Sequence, residues 1–333
     1  MKLRIFAFLS ALSLLLSGCV FEREEYRDTV FFAMDTYITV RLACAGVSDR
    51  RLDETAAECE RIVRDLENVL SAHNPDSELY ALNHSDTEFT EISDTLEHVL
   101  LTAYAVSERT AGAFDFTAGG LAELWNIKDG GPVPMQAEIN AELSHIGYDR
   151  ITVDDRRNTV MRSDPETVID LGGIGKGAAA DALVQYLETT DISYGLVSVG
   201  GTIGVFGDKP DGTPYKIGIR DPDDPDGVLT YLHISDGFVA VSGDYERYFE
   251  ENGVRYHHIF DPTTGYPADS GLRETAVYCA DGAAADALST ALFVMGPEAS
   301  LALYETGGFE AVLVSSDGTL TATRGLRTDY IAP

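Results

Sequence analysis

The stretch Asp170-Leu171-Gly172-Gly173-Ile174-Gly175-Lys176-Gly177 puts four glycines, an acid and a lysine within eight residues. It follows the apolar run Thr167-Val168-Ile169, predicted as a strand, and precedes an alanine-rich run over 178–188, predicted as a helix. A glycine-rich strand-to-helix turn lets backbone pass close to a ligand, and the helix start offers unpaired N–H groups to an anion. Two familiar phosphate patterns do not match. A P-loop needs Gly five residues before Gly175, where Asp170 stands, and Ser or Thr after the lysine, where Gly177 stands. The dinucleotide G-x-G-x-x-G spacing is absent as well. Taken alone, the turn is equally consistent with close helix–strand packing.

A second cluster is Ala285-Asp286-Ala287-Leu288-Ser289-Thr290-Ala291-Leu292. On a helix, Asp286, Ser289 and Thr290 share one face, bringing a carboxylate and two hydroxyls together. All are oxygen donors, the kind Mg²⁺ takes alongside substrate phosphates. The surrounding residues are apolar, so Asp286 needs a cation or hydrogen bonds, an arginine or a cap included. A third cluster, Tyr256-His257-His258-Ile259-Phe260-Asp261-Pro262-Thr263-Thr264-Gly265, ends a predicted hairpin strand. Adjacent strand residues face opposite ways, so His257 and His258 are not expected to chelate one metal. Either imidazole can serve as a base near neutral pH, or simply pack. Asp261 most simply holds the turn through its own backbone.

The elements that must position these residues alternate between helix and short strand. A strand is predicted over 30–42, with Ala33-Met34-Asp35-Thr36 inside it. The stripe Leu52, Ala56, Cys59, Ile62, Val63, Leu66, Leu70 predicts a helix over 48–70, broken by the polar loop 71–77. Helices are predicted from Ser93 or Asp94 to about 110, through Trp125, over 135–146, over 282–295 and over 297–306. Strands are predicted at 151–153, 159–161, 195–199, 203–206, 215–219, 230–234, 238–242, 275–279 and 311–314. Asn252-Gly253 between two β-rich runs is a hairpin signal. This mixed order with many hairpins predicts an α+β fold, largely antiparallel sheet with helices packed on it.

The chain has 333 residues and a formal net charge of −31, which argues against a nucleic-acid partner and against docking on anionic lipid. Residues 1–18 read as a signal peptide: Lys2 and Arg4, then a short apolar stretch, then Leu16-Ser17-Gly18 before Cys19. The motif at 16–19 resembles a bacterial lipobox, which implies cleavage before Cys19 and lipidation of its thiol. Residues 19–29 then form a tether and 30–333 one catalytic body. Cys44, Cys59 and Cys279 share no metal spacing and read as core residues, with no disulfide predicted.

Taken in order, several stretches resemble one family, the bacterial FAD:protein FMN transferases of ApbE type. They are Met34-Asp35-Thr36, Pro75-Asp76-Ser77-Glu78-Leu79, Ala113-Phe114-Asp115-x-Thr117, the Asp170 turn, Ser198-Val199-Gly200-Gly201, His258-x-x-Asp261-Pro262-x-Thr264-Gly265 and the Asp286 cluster. The resemblance implies that Met34, His73, Ala113, Phe114, Asp115, Asp170, Lys176 and Phe260 contact FAD. It implies an Mg²⁺ site from the Gly173 carbonyl, Asp286 and Thr290, with Ser289 beside it. Asp286 and His258 would then be catalytic, His258 assisting the acceptor hydroxyl; Asp115 or Asp170 stays open as the base. The implied reaction moves FMN from FAD to a Ser/Thr hydroxyl of a membrane-associated flavoprotein on the extracytoplasmic face. A hydrolase giving FMN and AMP, or a flavin-binding lipoprotein without turnover, would use the same site.

Overall fold

The structure, a computed structural model, describes residues 26–326 and 328–330. The expected signal peptide and Cys19 lie outside the described residues. Strands β1 (Tyr26–Ala33) and β2 (Thr36–Ala43) open the fold, followed by helices α1 (Asp49–Leu70) and α2 (Glu78–Asn83), strand β3 (Thr90–Glu91) and helix α3 (Asp94–Arg109). Next come α4 (Gly119–Trp125), α5 (Gln136–Leu143), β4 (Ile151–Asp154), β5 (Thr159–Arg162) and α6 (Gly175–Glu188). Then follow β6 (Gly195–Val199), β7 (Thr202–Phe206), β8 (Tyr215–Asp221), β9 (Asp224–Ile234) and β10 (Phe238–Gly243). The chain closes with β11 (Tyr248–Glu251), β12 (Val254–His257), β13 (Leu272–Cys279), α7 (Gly282–Tyr304), β14 (Glu310–Ser315), β15 (Leu320–Ala322) and β16 (Thr328–Tyr330).

An eight-stranded sheet in the order β1-β2-β6-β7-β10-β13-β14-β15 organises the molecule, and its neighbouring strands pair antiparallel throughout. Strand alternation gives it two buried faces. Phe206, Phe238, Ala240, Val277 and Leu313 join the helices in the main core. Val205, Val239, Ala276, Val312 and Val314 face the β8–β9 ribbon in a second core. The expected α+β class therefore holds.

Three local departures matter for the site. The strand expected over 30–42 is a hairpin that begins at Tyr26, inside the stretch read as tether, and turns at Met34-Asp35. Both turn residues have positive φ, 51° and 57°, as a two-residue hairpin turn demands. Without a glycine there, the sequence carried no turn signal. The strand expected at 167–169 is one parallel bridge, Ala118 to Val168. The Asn83 side chain replaces a strand partner, accepting from the Ile169 N–H at 2.9 Å and donating to its carbonyl at 2.8 Å. Finally, α6 begins at Gly175, so Lys176 and Gly177 occupy its first turn. The remaining predictions stand closely: Ser48 and Ser93 cap α1 and α3, Asn252-Gly253 turns the β11–β12 hairpin, and α7 is interrupted at Gly296, φ 78°, before Pro297. Cys44, Cys59 and Cys279 are free thiols.

Candidate active site

The glycine turn and the Asp286 helix meet. The Asp170 N–H is fixed by the Phe116 carbonyl at 2.8 Å, and its carboxylate accepts from the Gly172 N–H at 2.6 Å. Leu171 closes the turn by accepting from Gly175 at 2.7 Å. Gly177, in the first turn of α6, donates to Asp286 Oδ2 at 3.0 Å. A Cβ on Gly177 would sit 2.1 Å from the Gly282 carbonyl, so only glycine lets α6 approach α7 here. Asp181 completes the junction, accepting from the Gly282 and Ala283 N–H groups at 2.8 and 2.7 Å. Burial pushes the Asp181 carboxyl up to about 6.

Asp286 has a side chain only 2% exposed, and its carboxylate does not stand alone. Lys176 Nζ lies 3.4 Å from Asp286 Oδ1 and donates to the Gly172 carbonyl at 3.2 Å. Thr290 Oγ1 lies 3.6 Å from where a Cβ on Gly173 would be, and Thr290 stands one turn beyond Asp286 on α7. Ser242, at the end of β10, backs it: its hydroxyl is 2.7 Å from Ser289 Oγ and 3.3 Å from Thr290 Oγ1.

This donor set fits Mg²⁺. It offers one carboxylate, a carbonyl and a hydroxyl, leaving the rest of an octahedral shell to water and phosphate oxygens. Among the described residues no group of three or more His, Cys, Asp or Glu could hold a metal. The Lys176 ammonium now balances Asp286, and a divalent ion would compete for the same oxygen.

Met34 reaches the turn from the hairpin. Its N–H is held by Glu67 Oε1 at 2.8 Å, and its Cε would lie 3.4 Å from a Cβ on Gly175. The Phe114 ring packs on Gly173, 3.1 Å from a Cβ there. Asp35 pairs with Lys128 at 2.7 Å, and that ammonium holds its carboxyl below the usual range. The exposed His73 in the 71–77 loop also acts electrostatically on Asp35. Gly200, φ +57°, lies between Thr36 and the Lys176 stem, whose atoms would stand 2.9 and 3.2 Å from a Cβ there, too close for a side chain. Ala113 and Asp115 flank Phe114. Asp115 accepts from the Thr117 N–H and hydroxyl at 2.9 and 2.6 Å and from the Tyr148 N–H at 3.0 Å. Burial raises its pKa despite those bonds. Phe260 packs in a separate aromatic cluster, 6.0 Å from the Trp125 centroid.

The two histidines part as expected. His257 is buried and its Nε2 lies 3.0 Å from the Ala268 carbonyl. His258 is half-buried, and desolvation, the Lys176 ammonium and the Arg247 guanidinium push its imidazole down to about 4. It is therefore neutral at pH 7 and able to take a proton. Asp261 holds its turn as expected, accepting from the Thr263 N–H at 2.8 Å.

Sequence reasoning missed Ser242, Asp181, Lys128 and Arg247. Ser242 had a faint signal, a hydroxyl at the end of an apolar strand. The others lie far along the chain from the residues they touch and had none.

A family model described as the ApbE family matches residues 34–313. A Vibrio cholerae protein named FAD:protein FMN transferase is 33% identical over 309 residues, covering 90% of each chain. A Treponema pallidum protein of the same name is 35% identical over 303 residues, covering 84% of this chain and 83% of that one. The crystal structure of the ApbE protein from Thermotoga maritima matches with a TM-score of 0.83 at 33% identity, covering 90% of this chain and 98% of that one. The flavin transferase ApbE from Vibrio cholerae matches with a TM-score of 0.80 at 30% identity, covering 90% and 96%.

Proposed function

The chain belongs to the ApbE family, and from that premise we propose that it transfers the FMN half of FAD to a Ser or Thr hydroxyl of an acceptor flavoprotein. Mg²⁺ assists and AMP leaves. The observation that carries this reading is the meeting of the Gly173 turn with Asp286 and Thr290. Asp286, Thr290 and the Gly173 carbonyl would hold the ion, which neutralises charge on the reacting and departing phosphates when bound.

This chain's own groups account for the remaining work. Met34 and Phe114 wall the turn on two sides. The Lys176 ammonium, carried on the first turn of α6, would face the diphosphate. The acceptor Oγ forms a bond to the FMN-side phosphorus while the bond from that phosphorus to the bridging oxygen breaks, and AMP carries that oxygen away. The hydroxyl proton passes to the neutral His258 imidazole. Asp115 suits the base role less, because three hydrogen bonds already engage its two oxygens. Phe260 and the exposed His73 would meet outlying parts of FAD.

The test is incubation with FAD, Mg²⁺ and a Ser/Thr-bearing acceptor domain. The expected result is a fluorescent acceptor band with one AMP per flavin attached. Steady FMN and AMP release with an unlabelled acceptor would assign a hydrolase instead. Flavin binding without any turnover would leave only a carrier.

A further inference from the structure

His258 is held by a single backbone group. The Arg247 carbonyl accepts from the His258 N–H at 3.1 Å and lies 3.3 Å from ring Nδ1. A carbonyl can only accept, so Nδ1 must carry the proton, and the lone pair of the neutral ring falls on Nε2. Arg247 itself is exposed, in the connection between β10 and β11. Its side chain fastens that connection: Nη2 donates to the Asp35 carbonyl at 3.4 Å, in the turn that also carries Met34. A line of contacts therefore runs from the β1–β2 turn through Arg247 to the imidazole.

We propose that Arg247 is a positioning residue for the transfer reaction: its carbonyl selects the tautomer that frees Nε2, and its guanidinium locks that carbonyl to the turn beside the flavin nucleotide. This rests on the reading of His258 as the base. The charged and titratable groups acting on the ring are Lys176 from α6, Arg247 from the β10–β11 connection and His257 next in the chain. Their charges disfavour the imidazolium while the bond to the Arg247 carbonyl favours it, so the Arg247 guanidinium works against protonation and its carbonyl for it.

The test uses the mature enzyme with ¹⁵N-labelled histidine. Its seven histidines in the full sequence are few enough to assign His258 by difference from a His258→Gln sample. Imidazole ¹⁵N spectra should show His258 with Nδ1 protonated and titrating well below an ordinary histidine. Arg247→Gln should raise that titration point, mix the tautomers and move the acid limb of kcat/KM to higher pH. It should also lower kcat/KM by about tenfold, part of the roughly 10²–10⁴-fold a general base contributes. Arg247→Lys, which keeps the charge, should hold the titration point low while still losing tautomer purity. A parent ring protonated on Nε2, or an Arg247→Gln enzyme with unchanged tautomer and acid limb, would overturn the proposal. The spectra need no turnover. A parent with the expected tautomer that labels no acceptor would overturn the reading of the reaction instead.

Discussion

In the proposed reaction Asp286 would matter most, because its carboxylate meets both the α6 N-terminus and Lys176. Asp286→Ala should lower FMN transfer at least about 100-fold, the scale of removing one group that stabilises developing charge. It should also weaken the Mg²⁺ dependence of what remains. Unchanged transfer across a Mg²⁺ titration would remove the metal from this site. His258 gives a second prediction with a definite sign. A base must be unprotonated, and this imidazole stays so down to about 4. The kcat/KM of the free enzyme should therefore hold steady from neutral pH to about 5 and fall only below that. An acid limb near 6.5 would mean an unperturbed histidine or another base. The meeting of the glycine turn with the Asp286 helix was legible in the sequence, because oxygen donors at helical spacing and a glycine-rich turn signal themselves locally. Arg247, Lys128 and Asp181 were not, since their contacts are with partners 93 or more places away, or depend on the folding of loops with no periodicity of their own.

Two elements, α6 and α7, set the spacing of the site. Their crossing allows no side chain at Gly177, so Gly177→Ala should destabilise by about 3 kcal/mol or force the helices apart. Urea unfolding measures the first outcome and loss of FAD affinity the second; an alanine variant normal in both would show that the crossing is looser than the contacts indicate. Strand β13 carries a separate consequence. Glu274 is fully buried, accepts from the Tyr245 hydroxyl, and burial pushes its carboxyl up to about 7 from 4.5. Its folded form thus binds a proton more tightly than the unfolded chain. That contribution to stability is complete below about 4.5 and is lost as pH rises through about 7. At about 1.4 kcal/mol per pKa unit, the loss is on the order of 3 kcal/mol. Glu274→Gln should be the more stable protein at pH 8 and show a flatter pH dependence; parallel curves for the two proteins would remove Glu274 as the cause. At this scale the sequence located nearly every helix through caps and apolar stripes. It missed the Met34-Asp35 turn, where positive φ falls on Met34, which seldom adopts it, and no glycine marks the turn. It also read a strand at 167–169, where a side-chain amide from Asn83 stands in for the strand partner.

Across the whole molecule, charge is segregated. The chain carries a net −31, yet Lys176, Lys128 and Arg247 gather around the Met34-Asp35 turn and the Gly173 turn. In the proposed reaction these cations would draw a dinucleotide diphosphate locally, while the net negative charge repels anionic phospholipid. A body of this charge gains little from a membrane surface, so acceptors at a membrane would call for a covalent tether. We propose that Cys19 provides it, as the lipobox-like Leu16-Ser17-Gly18-Cys19 suggests. Buried acyl chains contribute roughly 0.8 kcal/mol per CH₂, enough with two or more chains to outweigh the repulsion. Cys19→Ala should therefore move the protein from the detergent phase to the aqueous phase on Triton X-114 separation. Its transfer of FMN to a soluble acceptor domain should stay unchanged, because the proposed reaction draws on no group of residue 19. Retention in the detergent phase would mean that something other than this thiol holds the protein at the membrane.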